Sequence, residues 1–218
     1  NRLIAITALT EFDINKNNAF NKLYKLNNKK NKISIDDLGF LIGPILNSGG
    51  RLGKSNYAVE LLSSENIQII NQRSADLIAL NNKRKKIEQA ILNDINFDKI
   101  EKENKKIIFY FKPNINEGLL GIIAARLKDH FDKPSIVITN SNNCLKGSAR
   151  SIYNYNIGKA IRRSLNQNII LNGGGHNMAA GFSLKKSNLS IFEKYILKDF
   201  TKTNQSLDSV FKYESQIS

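Results

Sequence analysis

Nine residues at positions 173–181 constrain the fold of this chain more than any other stretch. They read Gly-Gly-Gly-His-Asn-Met-Ala-Ala-Gly, so three glycines precede His176 and small residues follow it. Glycine is favoured where the backbone has a positive φ or lies close to a ligand or another segment. Successive backbone N–H groups that no side chain covers can form an anion-binding nest. The N-terminus of a following helix would strengthen anion binding there. The stretch therefore predicts either such a nest, with His176 at its mouth, or a tight turn with a structural histidine.

The composition restricts the classes of protein to which the chain can belong. Its 218 residues include 33 Lys and Arg against 19 Asp and Glu, a net charge of +14. Such a charge favours a polyanionic partner, because contacts with phosphates release counterions. Cys144 is the only cysteine, which excludes an intrachain disulfide and a cysteine-based zinc site and indicates a reducing, cytoplasmic compartment. No apolar run approaches the roughly 20 residues of a membrane span, so no membrane partner is expected.

The first hundred residues carry helical patterns. Residues 3–9 predict a short buried helix, and residues 18–26 predict a second one with apolar side chains at helical spacing. The glycines and proline of residues 43–53 predict a constrained loop. Ser64 is a suitable N-cap for one long helix to about Glu103, polar in its middle and apolar at both ends. Such a helix usually bridges two bodies.

The second half alternates between buried strands and amphipathic helices. Strands are predicted at 106–111, 135–139, 145–150 and 181–184, and helices at 118–130, 157–165 and 188–200. This alternation predicts an α/β domain in which helices cover a mixed sheet. Residues 201–218 are predicted to be a linker and the first strand of a further domain.

Several polar residues suggest a phosphate site. Ser148 and Arg150 are two residues apart on a predicted strand, so they share one side and form a reasonable phosphate clamp. Asn47 and Arg51 lie in the predicted loop, and Arg126 follows on the helix that opens at 116. No cluster of Asp and His has metal-ligand character, so a two-metal phosphoesterase centre cannot be assembled from this chain.

Four segments in order resemble the RecJ-type exonucleases of the DHH phosphoesterase superfamily. Residues 174–181 match the Gly-Gly-His-x-x-Ala-Ala-Gly signature of the DHHA1 domain, and residues 43–53, 117–127 and 146–151 are similar to three further family motifs. Ile45 stands where the family loop usually has arginine, which removes one possible phosphate contact.

The resemblance implies a division into four parts. Residues 1–63 would be the end of the DHH catalytic domain and 64–104 a connecting helix. Residues 105–204 would be a DHHA1 substrate-binding domain, and 205–218 a linker and the start of an OB-fold.

The resemblance also implies an activity: 5′-to-3′ digestion of single-stranded DNA to mononucleotides in DNA repair and recombination. Mn²⁺ or Mg²⁺ would be bound by a DHH domain outside this chain, so the isolated chain is expected to be inactive. His176 would contact the scissile phosphate, and Asn47 would line the junction near the metals. The residues expected to bind phosphates are Arg51, Arg126, Ser148 and Arg150, with Gly174 and Gly175 beside them. The expected partners are DNA with a 5′ end, a single-strand-binding protein and a helicase, and the expected state is a monomer.

Two other functions fit the same residues. One is a DHH/DHHA1 enzyme that acts on short oligoribonucleotides or cyclic dinucleotides. The other is a catalytically inactive relative that binds nucleic acid. A substrate-length series would separate the first from the exonuclease, and the metal ligands of the full-length protein would decide on the second.

Overall fold

The computed structural model describes residues 2–29 and 32–204. It is a mixed α/β structure that divides into two compact units, residues 1–91 and 92–218. The linker and strand predicted at the C-terminal end lie, from residue 205 onward, outside the described residues.

The first unit is helical. Its described α-helices are α1 (Arg2–Glu11), α2 (Asn18–Leu26), α3 (Gly43–Arg51), α4 (Asn56–Ser63) and α5 (Ile67–Asn93), whose last two residues belong to the second unit. A π-helix, Asp37–Ile42, leads into α3. Their shared core includes Leu23, Ile42 and Ile45, all at most 2% exposed. The predicted helix at 18–26 is confirmed as α2.

Helix α1 forms as predicted, but the prediction that it is buried is wrong. Leu3 and Ile4 are 74% and 65% exposed. Among the residues of this helix whose burial the structure describes, Leu9, near its end, is the one that is partly buried against the core of the first unit. A run that is apolar on all sides gives no periodicity from which the covered face could be chosen.

The sequence predicted a loop at residues 43–53, but most of this segment is helix α3. The helix is followed by Gly53. Pro44 lies in the first turn of α3, where a missing N–H is tolerated. Ser48, fully buried, donates from Oγ to the carbonyl oxygen of Leu77 on α5 at 3.0 Å. Gly53 has φ +79°, the left-handed conformation that ends helices. Tertiary packing thus outweighs the low helix propensity of the glycines.

The long helix predicted from Ser64 to Glu103 is interrupted at both ends. Ser64 ends α4, and Asn66 instead accepts a hydrogen bond from the amide of Gln68 at 2.9 Å. Helix α5 stops at Asn93, and the separate helix α6 (Phe97–Glu103) begins after Asn96, whose Oδ1 accepts from the Lys99 amide at 2.8 Å. Short polar side chains compete with the helical backbone and favour caps, so they divide the predicted element.

The second unit contains one five-stranded sheet, which confirms the predicted α/β class. Its strands are β1 (Ile108–Phe111), β2 (Ser135–Ser141), β3 (Cys144–Arg150), β4 (Asn172–His176) and β5 (Ala179–Leu184), in the spatial order β1-β2-β3-β5-β4. Only the β1–β2 pair is parallel. The remaining helices are α7 (Leu120–Phe131), α8 (Ile157–Asn166) and α9 (Leu189–Asn204).

The two faces of β3, β5 and β4 differ in what covers them. One side, called here the packed face, carries Gly147, Ala149, Ala180, Phe182, Gly173 and Gly175. Its apolar side chains join a core with Ile161 of α8 and Phe192 of α9. The other side, called the open face, carries Lys146, Ser148, Arg150, Ala179, Gly181, Ser183, Asn172, Gly174 and His176. This assignment follows from the strand register and from the alternation of buried and exposed residues along β3 and β5.

Candidate nucleic-acid interface

The glycine stretch forms the β4–β5 hairpin, so the predicted nest before a helix is wrong. Gly174 lies opposite Gly181, and His176 lies opposite Ala179. Among the described glycines, only Gly53 has a positive φ, so the hairpin glycines are extended. Gly173 and Gly175 permit close packing: a Cβ on Gly175 would lie 2.2 Å from the carbonyl oxygen of Ala179. Of the two predicted alternatives, the tight turn agrees with this hairpin and the nest does not.

The middle of the open face, at Gly181 and Gly174, has no side chains and is called here the floor. Gly181 pairs with Ser148 on one side and with Gly174 on the other, so two glycines adjoin the serine in one row. A Cβ on Gly174 would meet nothing within 4 Å, and one on Gly181 would have its nearest neighbour at 3.9 Å. This part of the sheet can therefore accept a ligand close to its backbone.

Ser148 and Arg150 lie side by side at the border of this floor, as the strand period predicted. Arg150 donates from Nη1 to Ser148 Oγ at 3.3 Å and to the Ala149 carbonyl at 2.9 Å. A Cβ on Gly121 would lie 2.7 Å from Arg150 Nη2 and 3.2 Å from Ser148 Oγ. The guanidinium thus occupies space that Gly121 leaves open near the start of α7. A guanidinium, a hydroxyl and the N-terminal end of a helix all favour an anion.

His176 lies on the open face in the same row as Arg150, with Ala179 between them. At the usual strand spacing their Cα atoms are about 10 Å apart. The ring is exposed, and its Nδ1 accepts a long hydrogen bond of 3.4 Å from the Met178 amide. In the neutral ring this bond leaves the proton on Nε2, which can donate to a ligand.

Lys146 lies one row beyond Ser148 and is held by a carboxylate. Its Nζ is 2.6 Å from Oε2 of Glu117, and both side chains are about half exposed. The pKa of Glu117 is lowered by its hydrogen bond with Lys146 and, secondly, by one with Ser141. The same hydrogen bond raises the pKa of Lys146. This ion pair reduces the positive charge that Lys146 presents to the open face.

Two predicted site residues do not point to the open face with Arg150. Arg126 is exposed on α7, five residues beyond Gly121 and so about 140° further round the helix. Gly175 belongs to the packed face, where its missing Cβ makes room for the backbone at Ala179 and Ala180. Their roles in binding substrate remain predictions.

Asn47 and Arg51 belong to the first unit, one turn apart on α3. Asn47 is exposed and Arg51 is partly buried. Burial lowers the pKa of Arg51, and so does the nearby charge of Arg84, whereas Glu88 raises it.

Sequence reasoning missed a polar cluster on α5 that adjoins Arg51. Arg84 donates to Oδ1 of Asn81 at 3.1 Å and to Oε2 of Glu88 at 2.8 Å, and the side chains of this Arg–Glu pair are 11% and 8% exposed. The spacing of these three residues along one helix face was the available signal. The Glu117–Lys146 pair and the notch at Gly121 were also missed, since neither has a local sequence pattern.

The described residues contain no group of three His, Cys, Asp or Glu side chains placed to hold a metal ion. The guanidinium of Arg150 and the hydroxyl of Ser148 can bind and orient an anion. None of the helices within residues 2–29 and 32–204 is long and apolar enough to cross a bilayer.

Comparison with known proteins identifies the domain family and the similar proteins. Residues 103–202 match the family model of the DHHA1 domain, so the chain carries a DHHA1 domain with the open face inside it. The chain is homologous to RecJ: it is 37% identical over 175 residues to the single-stranded-DNA-specific exonuclease RecJ of Haemophilus influenzae. The RecJ of Bacillus subtilis is 32% identical over 190 residues.

The similarity covers most of this chain but a minor part of the relatives. The aligned region is 77% of this chain and 30% of the Haemophilus influenzae protein. The fold also matches the crystal structure of RecJ from Thermus thermophilus in complex with Mg²⁺, with a TM-score of 0.72 over 88% of this chain and 29% of that one. The sequence identity there is 23%, so this match supports the fold.

Proposed function

We propose that this chain is the substrate-binding part of a 5′-to-3′ single-stranded-DNA exonuclease. One observation carries the proposal: Ser148 and Arg150 stand together beside an open, glycine-floored face and the start of α7. A terminal phosphate of DNA would bind there, with the following backbone over Gly181 and Gly174. The net charge of +14 and the similarity to single-stranded-DNA-specific exonucleases support the same substrate.

In this proposal the residues bind and orient the DNA. Arg150 offers a fork of donors to phosphate oxygens, and Ser148 adds a hydroxyl donor. His176 would donate from Nε2 to the scissile phosphate further along the floor. Arg51, on α3 of the first unit, would bind a phosphate of the DNA backbone through its guanidinium.

Hydrolysis itself would need groups outside the described residues. RecJ from Thermus thermophilus has been crystallised with Mg²⁺ and with Mn²⁺. The side chains of the described residues do not form a donor set that fits such an ion. The isolated chain is expected to bind DNA without cleaving it. Cytoplasmic localisation, a monomeric state and contacts with a single-strand-binding protein and a helicase remain predictions.

The test is fluorescence anisotropy with a single-stranded oligonucleotide, with and without a 5′-phosphate, over a salt series. Arg150→Ala should remove the preference for the phosphorylated end and reduce the salt slope by about 0.7, the value for one phosphate contact on a single strand. Lys102→Ala, an exposed lysine on α6, is the matched loss of charge and should leave the preference intact. Affinity that is insensitive to both the 5′-phosphate and Arg150 would refute the proposal.

A diribonucleotide competitor separates the alternative. If the chain binds extended DNA, the diribonucleotide should displace the oligonucleotide only weakly, since two nucleotides cannot cover the whole floor. Displacement at concentrations similar to those of the oligonucleotide would favour an oligoribonuclease-type enzyme instead.

A further inference from the structure

Tyr153 is an exposed aromatic residue close to the proposed phosphate site. Its side chain is 75% exposed. Within the described residues it forms no aromatic contact or hydrogen bond. It follows Arg150 by three residues, so their Cα atoms lie within roughly 11 Å of each other. Neither the anion-binding role of Arg150 nor the packing of the domain explains an aromatic ring at this position.

The turn that carries Tyr153 is anchored on both sides. Ser151 and Tyr155 are each 1% exposed, and Ser151 Oγ donates to the Tyr155 carbonyl oxygen at 2.7 Å. The Tyr155 amide donates to the Ile152 carbonyl at 3.2 Å and closes the turn. The Tyr155 hydroxyl donates to Asp199 on α9 at 3.1 Å. The ring of Tyr153 is therefore presented on a well-supported turn, which reduces the conformational entropy lost when a ligand binds.

The same turn is tied to the tip of the glycine hairpin. The Ser151 amide donates to the Met178 carbonyl at 2.9 Å, and the Ile157 amide donates to the Asn177 carbonyl at 3.2 Å. These bonds place Tyr153 at the end of the sheet that also carries Arg150 and His176. An aromatic ring and the Arg150 guanidinium therefore share one rim of the domain, a combination typical of single-strand binding.

We propose that Tyr153 is a stacking platform for a nucleobase of the DNA strand whose phosphate is bound by Arg150. The inference rests on the proposed function and adds a contact to the base. Every base has a π-face, so this contact would be tolerant of sequence. The Arg150 guanidinium on the same rim favours a nucleotide over an uncharged aromatic ligand, because a phosphate complements its charge.

The experiment measures binding of a 5′-phosphorylated single-stranded oligonucleotide and of the same strand with abasic sites at its first two positions. Tyr153→Ala should weaken binding of the intact strand by roughly fivefold to a hundredfold, the range expected for loss of one base–aromatic stack. Binding of the abasic strand should be unchanged by this substitution. Tyr153→Phe should retain the affinity of the original chain for both ligands.

Phe40→Ala is the matched control, since Phe40 is an aromatic residue in the first unit that is 83% exposed. This substitution should change neither the affinity for the intact strand nor that for the abasic strand. Circular dichroism should show that all variants are folded. A loss that is equal for intact and abasic strands, or no loss in Tyr153→Ala, would overturn the inference while the Arg150 dependence stands. Loss of the Arg150 and 5′-phosphate dependence would instead overturn the proposed function and this inference with it.

Discussion

The two faces of the β3–β5–β4 sheet use the same residue type for opposite purposes. On the packed face, a Cβ on Gly173 would lie 2.8 Å from side-chain atoms of Ile161 and Ile170. On the open face, a Cβ on Gly174, the next residue, would meet nothing within 4 Å. Adjacent glycines of one motif thus meet two requirements, a close fit of α8 on one side and free space on the other.

This difference shows why the stretch contains consecutive glycines. A strand with one glycine could satisfy only one face, because successive residues point to opposite sides. Gly158 in the first turn of α8 continues the close fit, since its Cβ would lie 2.7 Å from the His176 carbonyl oxygen. Helix α8 contacts the strand backbone directly. The hairpin is therefore supported on its packed face, while its open face remains accessible.

The largest expected effect comes from the packed face. Phe182 is 6% exposed, packs against Phe192 with the rings tilted and their centroids 4.6 Å apart, and fills the space over Gly147. Phe182→Ala should lower the free energy of unfolding by about 3–5 kcal/mol, because it leaves a cavity in the core. Urea denaturation followed by circular dichroism measures this change. A loss below about 1 kcal/mol would mean that the ring does not support the sheet as described.

The second prediction compares neighbouring glycines directly. Gly175→Ala should destabilise the chain by about 1–3 kcal/mol, since the added methyl would overlap the backbone at Ala179 and Ala180. Gly174→Ala is the matched control and should be close to neutral. Thermal unfolding of both variants tests the contrast. Equal losses at the two positions would refute the division into packed and open faces.

Much of the sheet could be predicted from the sequence because its patterns are local. The buried run at β2 and the alternation along β3 define strands and faces without tertiary information. The same alternation was enough to place Ser148 and Arg150 side by side. The α/β class and the pairing of β2 with β3 follow from these elements.

The remainder depends on contacts between distant residues. Helix α3 is stabilised by the Ser48–Leu77 hydrogen bond, which joins positions 29 residues apart. The space for the Arg150 side chain depends on Gly121 of α7. The positive charge that Lys146 presents to the open face is reduced by Glu117, which lies on a different element. No spacing within one segment reports such pairs, so the sequence predicted the elements better than the site.

The third prediction separates binding from stability on the open face. Gly121→Ala should displace the Arg150 guanidinium from its notch and weaken binding of 5′-phosphorylated DNA by about tenfold, comparable to one charge-assisted hydrogen bond. Its stability should be unchanged or higher, because alanine favours a helix more than glycine does. Gly39→Ala, where an added Cβ meets nothing within 4 Å, is the control for both measurements. Unchanged affinity would show that Arg150 binds no phosphate in this position.

The smallest expected effect concerns the ion pair at the border of the open face. Glu117→Gln should release Lys146, raise the affinity for single-stranded DNA a few-fold and steepen the salt slope by about 0.7. The matched control is Glu103→Gln, which removes the same charge from an ion pair with Lys105 at 2.8 Å on another element. Binding titrations over a salt series measure the slope. An identical slope in both variants would mean that Lys146 does not contact the DNA.

The pH dependence of the same pair has a defined sign. The pKa of Glu117 is lowered from its ordinary value of 4.5, so the contribution of its carboxylate to stability is complete above that value and is lost as the pH falls through the lowered pKa. The thermal unfolding midpoints of the original chain and of Glu117→Gln should therefore converge in acid and differ most near neutral pH. If the difference instead grew as the pH fell, Lys146 could not be the group that holds this carboxylate ionised. The open face would then have its full positive charge at neutral pH, and it would differ from the apolar packed face in charge as well as in free space.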